Sequence, residues 1–392
     1  MTFEIEEVTW YQLPLDLQAQ FYERAEKDSD SILKRAIEIY ERLKSLPEEL
    51  KSCINKFEFL EKDLAIAAVD GSRSMSISNR LGMKVAVLSA GTLILKNNKR
   101  EEKFKTYSIK EKQKFSDATV SYRLSLILSY LERKIAKEIL NDVDYVLIDG
   151  SFYGFIYPLL RLKKEGLLSD KMKELLGNVF DLTNELIDSK KVLAIVKRTR
   201  TKVIGAWIFL KNNDPRYVEM LDRMILTHLM PKQSIFDYRD LIKNGIGNSI
   251  QIYNEVASLI SKGEIKDNIL EHAREKAYEP FESLGLNIDH FEKLSRIHVK
   301  AYSDVATCEI EHPNLSIEEL LKVVSMKDFF NPATGLPLIL DMIDNLVSLP
   351  LKFTEDYVKE IEARTISKAM KDQLPLEVVK ILFFNMNPQK IY

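Results

Sequence analysis

The chain has 392 residues, 45% of them hydrophobic and 30% charged, with only 13 Gly and 12 Pro, a composition that fits a soluble globular protein of one large or two ordinary domains. Its formal charge of −2 gives no global basic signal for nucleic acid, although a near-neutral total leaves room for a local basic channel. The two cysteines, Cys53 and Cys308, lie far apart and form neither a CxxC pair nor a zinc spacing, so they read as small apolar residues in a reducing compartment.

The acidic start, Met1-Thr2-Phe3-Glu4-Ile5-Glu6-Glu7, does not resemble a signal peptide. No apolar run reaches the roughly 18 uncharged residues of a membrane span; the best stretch, Tyr145 to Leu160, is interrupted by Asp149. The expectation is a cytoplasmic protein without a membrane partner. Leu33, Ala36, Ile37, Tyr40, Leu43 and Leu46 follow helical i, i+3, i+4 spacing, and Pro47 ends that helix. Residues 1–60 therefore read as a helical arm placed before the main sheet.

From Asp63 the pattern changes. Asp63–Val69 is a short apolar run ended by Asp-Gly-Ser, Lys84–Leu95 is a second strand-like segment, and Tyr107-Ser108-Ile109 marks a third within a charged stretch. Ser116–Leu140 has helical spacing through Val120, Leu124, Ile127, Leu128, Leu131, Ile135 and Ile139. Tyr145–Ile148 is a strand ended by a second Asp-Gly-Ser, Met172–Ser189 is helical, and Val192–Val196 is a strand followed by Lys197-Arg198-Thr199-Arg200. Apolar runs of this length bounded by turn residues are typical of buried central strands, and their order with the helices is α/β. Farther on, Leu241–Ala277 is polar and largely helical, Ile297–Ile310 alternates as a hairpin, and Leu320–Phe329 and Ile339–Ser348 are helical.

The two Asp-Gly-Ser segments carry the chemistry. Each is read as a turn in which Gly lets the backbone turn away and leaves a carboxylate, Asp70 or Asp149, at the rim of the sheet. On neighbouring strands the two carboxylates would share one rim and raise each other's pKa unless a cation lies between them, and Mg²⁺ or Mn²⁺ suits such oxygens. Glu132 lies at the margin of the helix's apolar stripe. Spacing leaves it two readings, a solvated acid paired with a nearby Lys or Arg, or a third acid reaching over the sheet edge. Lys197, Arg198 and Arg200 likewise read either as a solvated basic turn or as phosphate contacts.

Asp on the first strand, Glu on the first long helix and Asp on the fourth strand is the order of the RNase H-like nucleases. More narrowly, the sequence resembles the archaeal NurA nuclease family through Ala67-Ala68-Val69-Asp70-Gly71-Ser72-Arg73-Ser74, Leu131-Glu132, Val146-Leu147-Ile148-Asp149-Gly150-Ser151 and Ala194-Ile195-Val196-Lys197-Arg198-Thr199. The resemblance extends weakly to Thr334-Gly335-Leu336-Pro337-Leu338-Ile339-Leu340. It implies an α/β, RNase H-like mixed sheet flanked by helices, with a core at about 61–210 completed by the C-terminal part of residues 61–392. It also implies a Mn²⁺- or Mg²⁺-dependent nuclease acting on single- and double-stranded DNA, a homodimer working with a HerA-type helicase in end resection and homologous recombination. By the same resemblance Asp70, Glu132 and Asp149 are catalytic metal ligands, and Ser72, Arg73, Lys197, Arg198 and Arg200 contact substrate.

The C-terminal segment departs from the family pattern. Thr334 stands where a Tyr is expected and Met342 where a His is expected. Asp341 and Asp344 lie nearby and read either as a substitute metal ligand or as ordinary helix acids. The histidines form no pairing that suggests a site, and His312, beside Glu309 and Glu311, reads as a surface residue. Two further readings follow: a catalytically weak or inactive NurA-like protein that binds single-stranded DNA or serves as a helicase adaptor, and an actin-like ATPase sharing the RNase H core. No GxxxxGK[ST] run supports the latter.

Overall fold

In a computed structural model the described residues are 13–74, 76–79, 83–96, 99–112, 114–242, 250–265, 267–375 and 377–378. The chain divides into two compact units, Met1–Leu50 and Lys51–Tyr392. The expectation drawn from Met1–Glu7 lies outside the described residues, as do residues 243–249 of the helical stretch expected at Leu241–Ala277.

In the first unit, helix α1 (Leu15–Lys44) is continuous over 30 residues, about 45 Å at the α-helical rise. Leu43 is buried, whereas Leu33, Ile37 and Tyr40 of the same apolar stripe are exposed. The boundary at Leu50 lies before the expected one at residue 60. Strand β1 (Ile54–Lys56) already pairs within the sheet of the second unit.

The second unit is built on that sheet. Its first half comprises β2 (Ile66–Arg73), β3 (Met83–Lys96), β4 (Lys99–Lys112), β5 (Tyr145–Asp149) and β6 (Val192–Val196). Later in the chain come β7 (Ser234–Asp237), β8 (Ser295–Lys300) and β9 (Cys308–His312). Among the described residues these strands form one nine-stranded sheet in the order β1-β7-β8-β9-β6-β5-β2-β3-β4. Strands β2, β5 and β6 are parallel and all other pairs are antiparallel. The order β4-β3-β2-β5-β6, with β3 antiparallel to both neighbours, is the mixed core expected of an RNase H-like fold. The expected hairpin is β8–β9, and it is not a separate addition: it continues the sheet beyond β6.

The central strands are apolar through Ile66–Val69, Val146–Ile148 and Val192–Val196 because both faces are covered there. On one face Val69, Val146, Ile148 and Ala194 pack with residues of α2 (Asp117–Ile139), α3 (Ile156–Lys164) and α4 (Asp170–Asp188). Ala68, Leu147, Leu193 and Ile195 pack on the other face. Their partners there come from α10 (Ile317–Val324) and α11 (Leu338–Val347). Alternate residues along each strand thus serve opposite cores. Helix α2 starts where Ser116 Oγ accepts a hydrogen bond from Thr119 N at 3.1 Å, an N-cap. The remaining helices are α5 (Val203–Asn212), α6 (Asp222–Leu229), α7 (Tyr238–Leu241), α8 (Ile250–Ser261), α9 (Ile269–Leu284) and α12 (Phe353–Lys371). Both cysteines are buried and unbonded to each other, and among the described residues no helix is long and apolar enough to cross a membrane.

One expectation is corrected here. Asp70-Gly71-Ser72 is not a turn: it lies inside β2, and Asp70, Gly71, Ser72 and Arg73 pair in register with Gly91, Ala90, Ser89 and Leu88. Only the second Asp-Gly-Ser turns, with Gly150 at φ 78° just past the end of β5.

Leu147, fully buried in the central strand, sets the scale of the core. Leu147→Ala is expected to lower unfolding free energy by about 2–5 kcal/mol, while Leu33→Ala on the exposed stripe of α1 shifts it by no more than about 0.5 kcal/mol. Urea denaturation followed by circular dichroism measures both.

Candidate active site

Three parallel strands carry their alternation one step beyond the core. The residues facing α11 run Ala68 then Asp70 on β2, Leu147 then Asp149 on β5, and Ile195 then Lys197 at the end of β6. The β2–β5 register, with Val69 opposite Ile148, brings Asp70 and Asp149 side by side. Lys197 Nζ lies 3.6 Å from Asp70 Oδ2, 3.5 Å from Asp149 Oδ2 and 3.4 Å from Asp344 Oδ2 on α11. Three carboxylates from three elements therefore surround one ammonium.

Asp70 is only 2% exposed. Its Oδ1 accepts from Gly71 N at 2.7 Å, and its buried Oδ2 has no hydrogen-bond partner. Burial and then the charge of Asp149 push its pKa up to about 7, although Lys197 opposes them. Burial also raises the pKa of Asp149, again against Lys197. Burial works against the charge on Lys197, but Asp149, Asp70 and Asp344 outweigh it and raise its pKa.

Glu132 reaches the same region from the opposite face of the sheet. A Cβ on Gly71 would lie 2.5 Å from Leu128 Cδ1 and 2.9 Å from Glu132 Oε1. Gly71 therefore serves close approach of α2 to an extended strand, not a change of direction. Glu132 is buried rather than solvated, and it is also paired: its Oε2 accepts from Arg133 Nη1 at 2.8 Å. Burial raises its pKa most, Arg133 opposes, and Asp70 and Asp149 add to the rise, giving about 8. Arg133 in turn donates to the carbonyls of Ser151 at 3.2 Å and Phe152 at 3.3 Å, just past the Asp149 turn.

The donor chemistry suits a hard divalent cation: carboxylate oxygens, one of them buried without a hydrogen bond, gathered with too little positive charge. Among the described residues, however, no three His, Cys, Asp or Glu side chains already converge as a ligand set. Lys197 provides the counter-charge instead.

The other expected residues are dispersed. Ser72 shares the face of Asp70, and its Oγ accepts from Leu349 N at 3.4 Å. Arg73 points to the α2 face, where it donates to Ser121 O at 3.0 Å and Ser125 Oγ at 3.1 Å. Arg198 and Arg200 are exposed on the turn after β6. Asp341 is tied into the loop before α11, accepting from Asn331 Nδ2 at 2.8 Å and Thr334 Oγ1 at 2.9 Å, so of the two helix acids only Asp344 meets Lys197. Met342 packs against the apolar core.

His312 is corrected from surface to core. It ends an interior strand covered on both faces, its Nδ1 accepts from Leu315 N at 3.1 Å, and burial lowers its pKa to about 3. The same strand pairing holds residues that spacing alone did not single out. Arg296 stands opposite Glu311 and His298 opposite Glu309 on β8 and β9; His298, Glu309 and Glu311 are buried and Arg296 is half-buried. The available signal was opposite charge at facing positions of an alternating hairpin.

A NurA domain family model matches residues 64–349. The crystal structure of the NurA nuclease from Sulfolobus solfataricus is similar at 16% identity and a TM-score of 0.56, over 89% of this chain and 98% of that one. Another NurA crystal structure is similar at 13% identity and a TM-score of 0.50, over 87% of this chain and 97% of that one. Comparison with curated proteins gives no match.

Two outcomes follow from this geometry. Gly71→Ala places a Cβ against the Leu128 and Glu132 side chains, which must give way, and is expected to cost about 1–3 kcal/mol, read by thermal or urea denaturation. The second concerns pH. An acid whose pKa is higher when folded stabilises the fold below its unfolded value and loses that contribution as pH rises through the folded one. Asp70 and Glu132 both behave this way, so metal-free protein is expected to lose stability between about pH 4 and about pH 8. Melting temperature against pH should fall less steeply in that window for Asp70→Asn.

Proposed function

Since this chain belongs to the NurA family, we propose that it is a metal-dependent deoxyribonuclease acting on single- and double-stranded DNA with Asp70, Glu132 and Asp149 at its centre. The observation that carries this reading is the cluster of Asp70, Asp149 and Asp344 around Lys197, with Glu132 beneath Gly71. The name of the Sulfolobus solfataricus protein, a nuclease, supports the reaction class. In the wider setting of this proposal the protein is a homodimer that works beside a HerA-type helicase at DNA ends.

Asp70 and Asp149 from adjacent strands, Glu132 from α2 and Asp344 from α11 would hold Mn²⁺ or Mg²⁺ through oxygen. Divalent ions bound there supply Lewis acidity toward a phosphodiester and an activated water. Lys197 is a compact point charge on a flexible stem; when the carboxylates are otherwise neutralised it turns to a substrate phosphate. Arg198 and Arg200 sit exposed on the same turn for neighbouring backbone phosphates. Ser72 lies on the Asp70 face, and Arg73 extends the polar surface along α2.

A second reading is favoured by Thr334 and Met342, which replace the expected Tyr and His. Thr334 is committed to Asp341 and Met342 to the core. In this reading the protein is catalytically weak and serves as a single-stranded DNA-binding protein or helicase adaptor. Digestion of end-labelled single- and double-stranded DNA in Mn²⁺ separates the two. The nuclease reading expects digestion that falls by a factor on the order of 100 or more in Asp70→Ala. Binding by fluorescence anisotropy with no digestion above that variant would establish the second reading and reject the first.

A further inference from the structure

We propose that Glu311 and Arg296 are positioning residues that fix the Asp149-Gly150-Ser151 turn and thereby set the cation affinity of the carboxylate site; this rests on the metal-dependent reading above. Glu311 comes from β9, on the far side of β6, and is 3% exposed. Its Oε2 accepts from Ser151 Oγ at 2.9 Å and Phe152 N at 2.8 Å. Its Oε1 accepts from Arg296 Nε at 3.0 Å and Nη2 at 2.8 Å. The remaining nitrogen, Arg296 Nη1, donates to Glu309 Oε1 at 2.7 Å and Thr201 Oγ1 at 3.2 Å. Thr201 Oγ1 donates to Glu309 Oε1 at 2.7 Å and accepts from Thr199 Oγ1 at 2.9 Å.

The two residues that follow Asp149-Gly150 are therefore gripped from two sides. Glu311 takes the Ser151 hydroxyl and the Phe152 N–H, and Arg133 takes both carbonyls. Gly150 itself has φ 78° and open space where a Cβ would stand, so no side-chain packing at that position holds the turn. Through Thr199 and Thr201 the same guanidinium also anchors the turn that starts at Lys197. A largely enclosed arginine between two buried glutamates adds little stability compared with apolar packing of the same volume. Its specific product here is geometry, the relative placement of Asp149, Glu132 through Arg133, and Lys197. Second-layer partners of metal ligands commonly change affinity about 10–100-fold.

The test uses the full chain and Mn²⁺ alone, with free Mn²⁺ counted by electron paramagnetic resonance and DNA digestion measured in parallel across Mn²⁺ concentrations. For Glu311→Gln, which keeps shape and an acceptor oxygen but removes the negative charge that faces Arg296, Mn²⁺ binding is expected to weaken about 10-fold or more. Digestion should recover toward the unsubstituted rate at saturating Mn²⁺. A lower melting temperature with unchanged Mn²⁺ affinity would mean a merely structural role and would overturn the inference. If Glu311→Gln does not fold, Ser151→Ala removes only one donor to Glu311: weaker Mn²⁺ binding supports the inference and unchanged binding overturns it. Asp70→Asn separates the two levels. Should it bind Mn²⁺ as well as the unsubstituted chain, or should neither bind, the metal-site reading fails and this inference with it. When only Asp70→Asn loses binding, the inference fails alone.

Discussion

The parallel register of β2, β5 and β6 is the constraint on which the rest depends. Because Val69 lies opposite Ile148 and Ile148 opposite Ala194, the alternating residues of three strands stay in phase. Within the core that phase stacks Ala68, Leu147 and Leu193 against α10 and α11. Where the apolar residues stop, the same phase presents Asp70, Asp149 and Lys197 to one space, and α11, packed on that face, adds Asp344. A one-residue slip of β2 would turn Asp70 toward α2 and replace it with Gly71. The site is thus the continuation of the core packing rather than an addition to it.

The two Asp-Gly-Ser segments show how the same three residues meet different demands. In β2 the strand continues and Gly71 is thin enough to let Leu128 and Glu132 descend onto the backbone. At the end of β5 the strand stops, Gly150 adopts a positive φ, and its N–H donates to Ile195 O at 2.9 Å. One glycine admits a third acid from the opposite face, and the other releases the chain toward Ser151 and Glu311. The shared sequence does not imply shared conformation, because the neighbouring strand and helix decide what each glycine is for.

This marks where the sequence was legible. Runs buried on both faces, such as Tyr145–Ile148 and Val192–Val196, announce themselves, and so do the acids that terminate them. Strands β1 and β7 have three and four residues and are held by neighbours remote in sequence, so periodicity has nothing to act on. Glu132 stood at the margin of an apolar stripe, and only the contact at Gly71 reveals its burial. Arg296, Glu309 and Glu311 were hidden for a different reason. An alternating hairpin is ordinarily polar on a solvated face, but β8 and β9 lie inside the sheet, which turns their charged residues inward.

Charge balance connects the altered C-terminal segment to the rest of the site. Asp70, Asp149, Asp344 and Glu132 face two nearby cations, Lys197 and Arg133. Burial above all, and then this excess of negative charge, raises the pKa of Asp70 and Glu132, so protons and a divalent cation would compete for the same oxygens. Asp344 lies two residues beyond Met342 on α11, so the helix that lacks the expected imidazole still brings a carboxylate oxygen to accept from Lys197. Because Asp70 and Glu132 hold protons to higher pH than ordinary carboxylic acids, release of those protons would accompany cation binding at these oxygens.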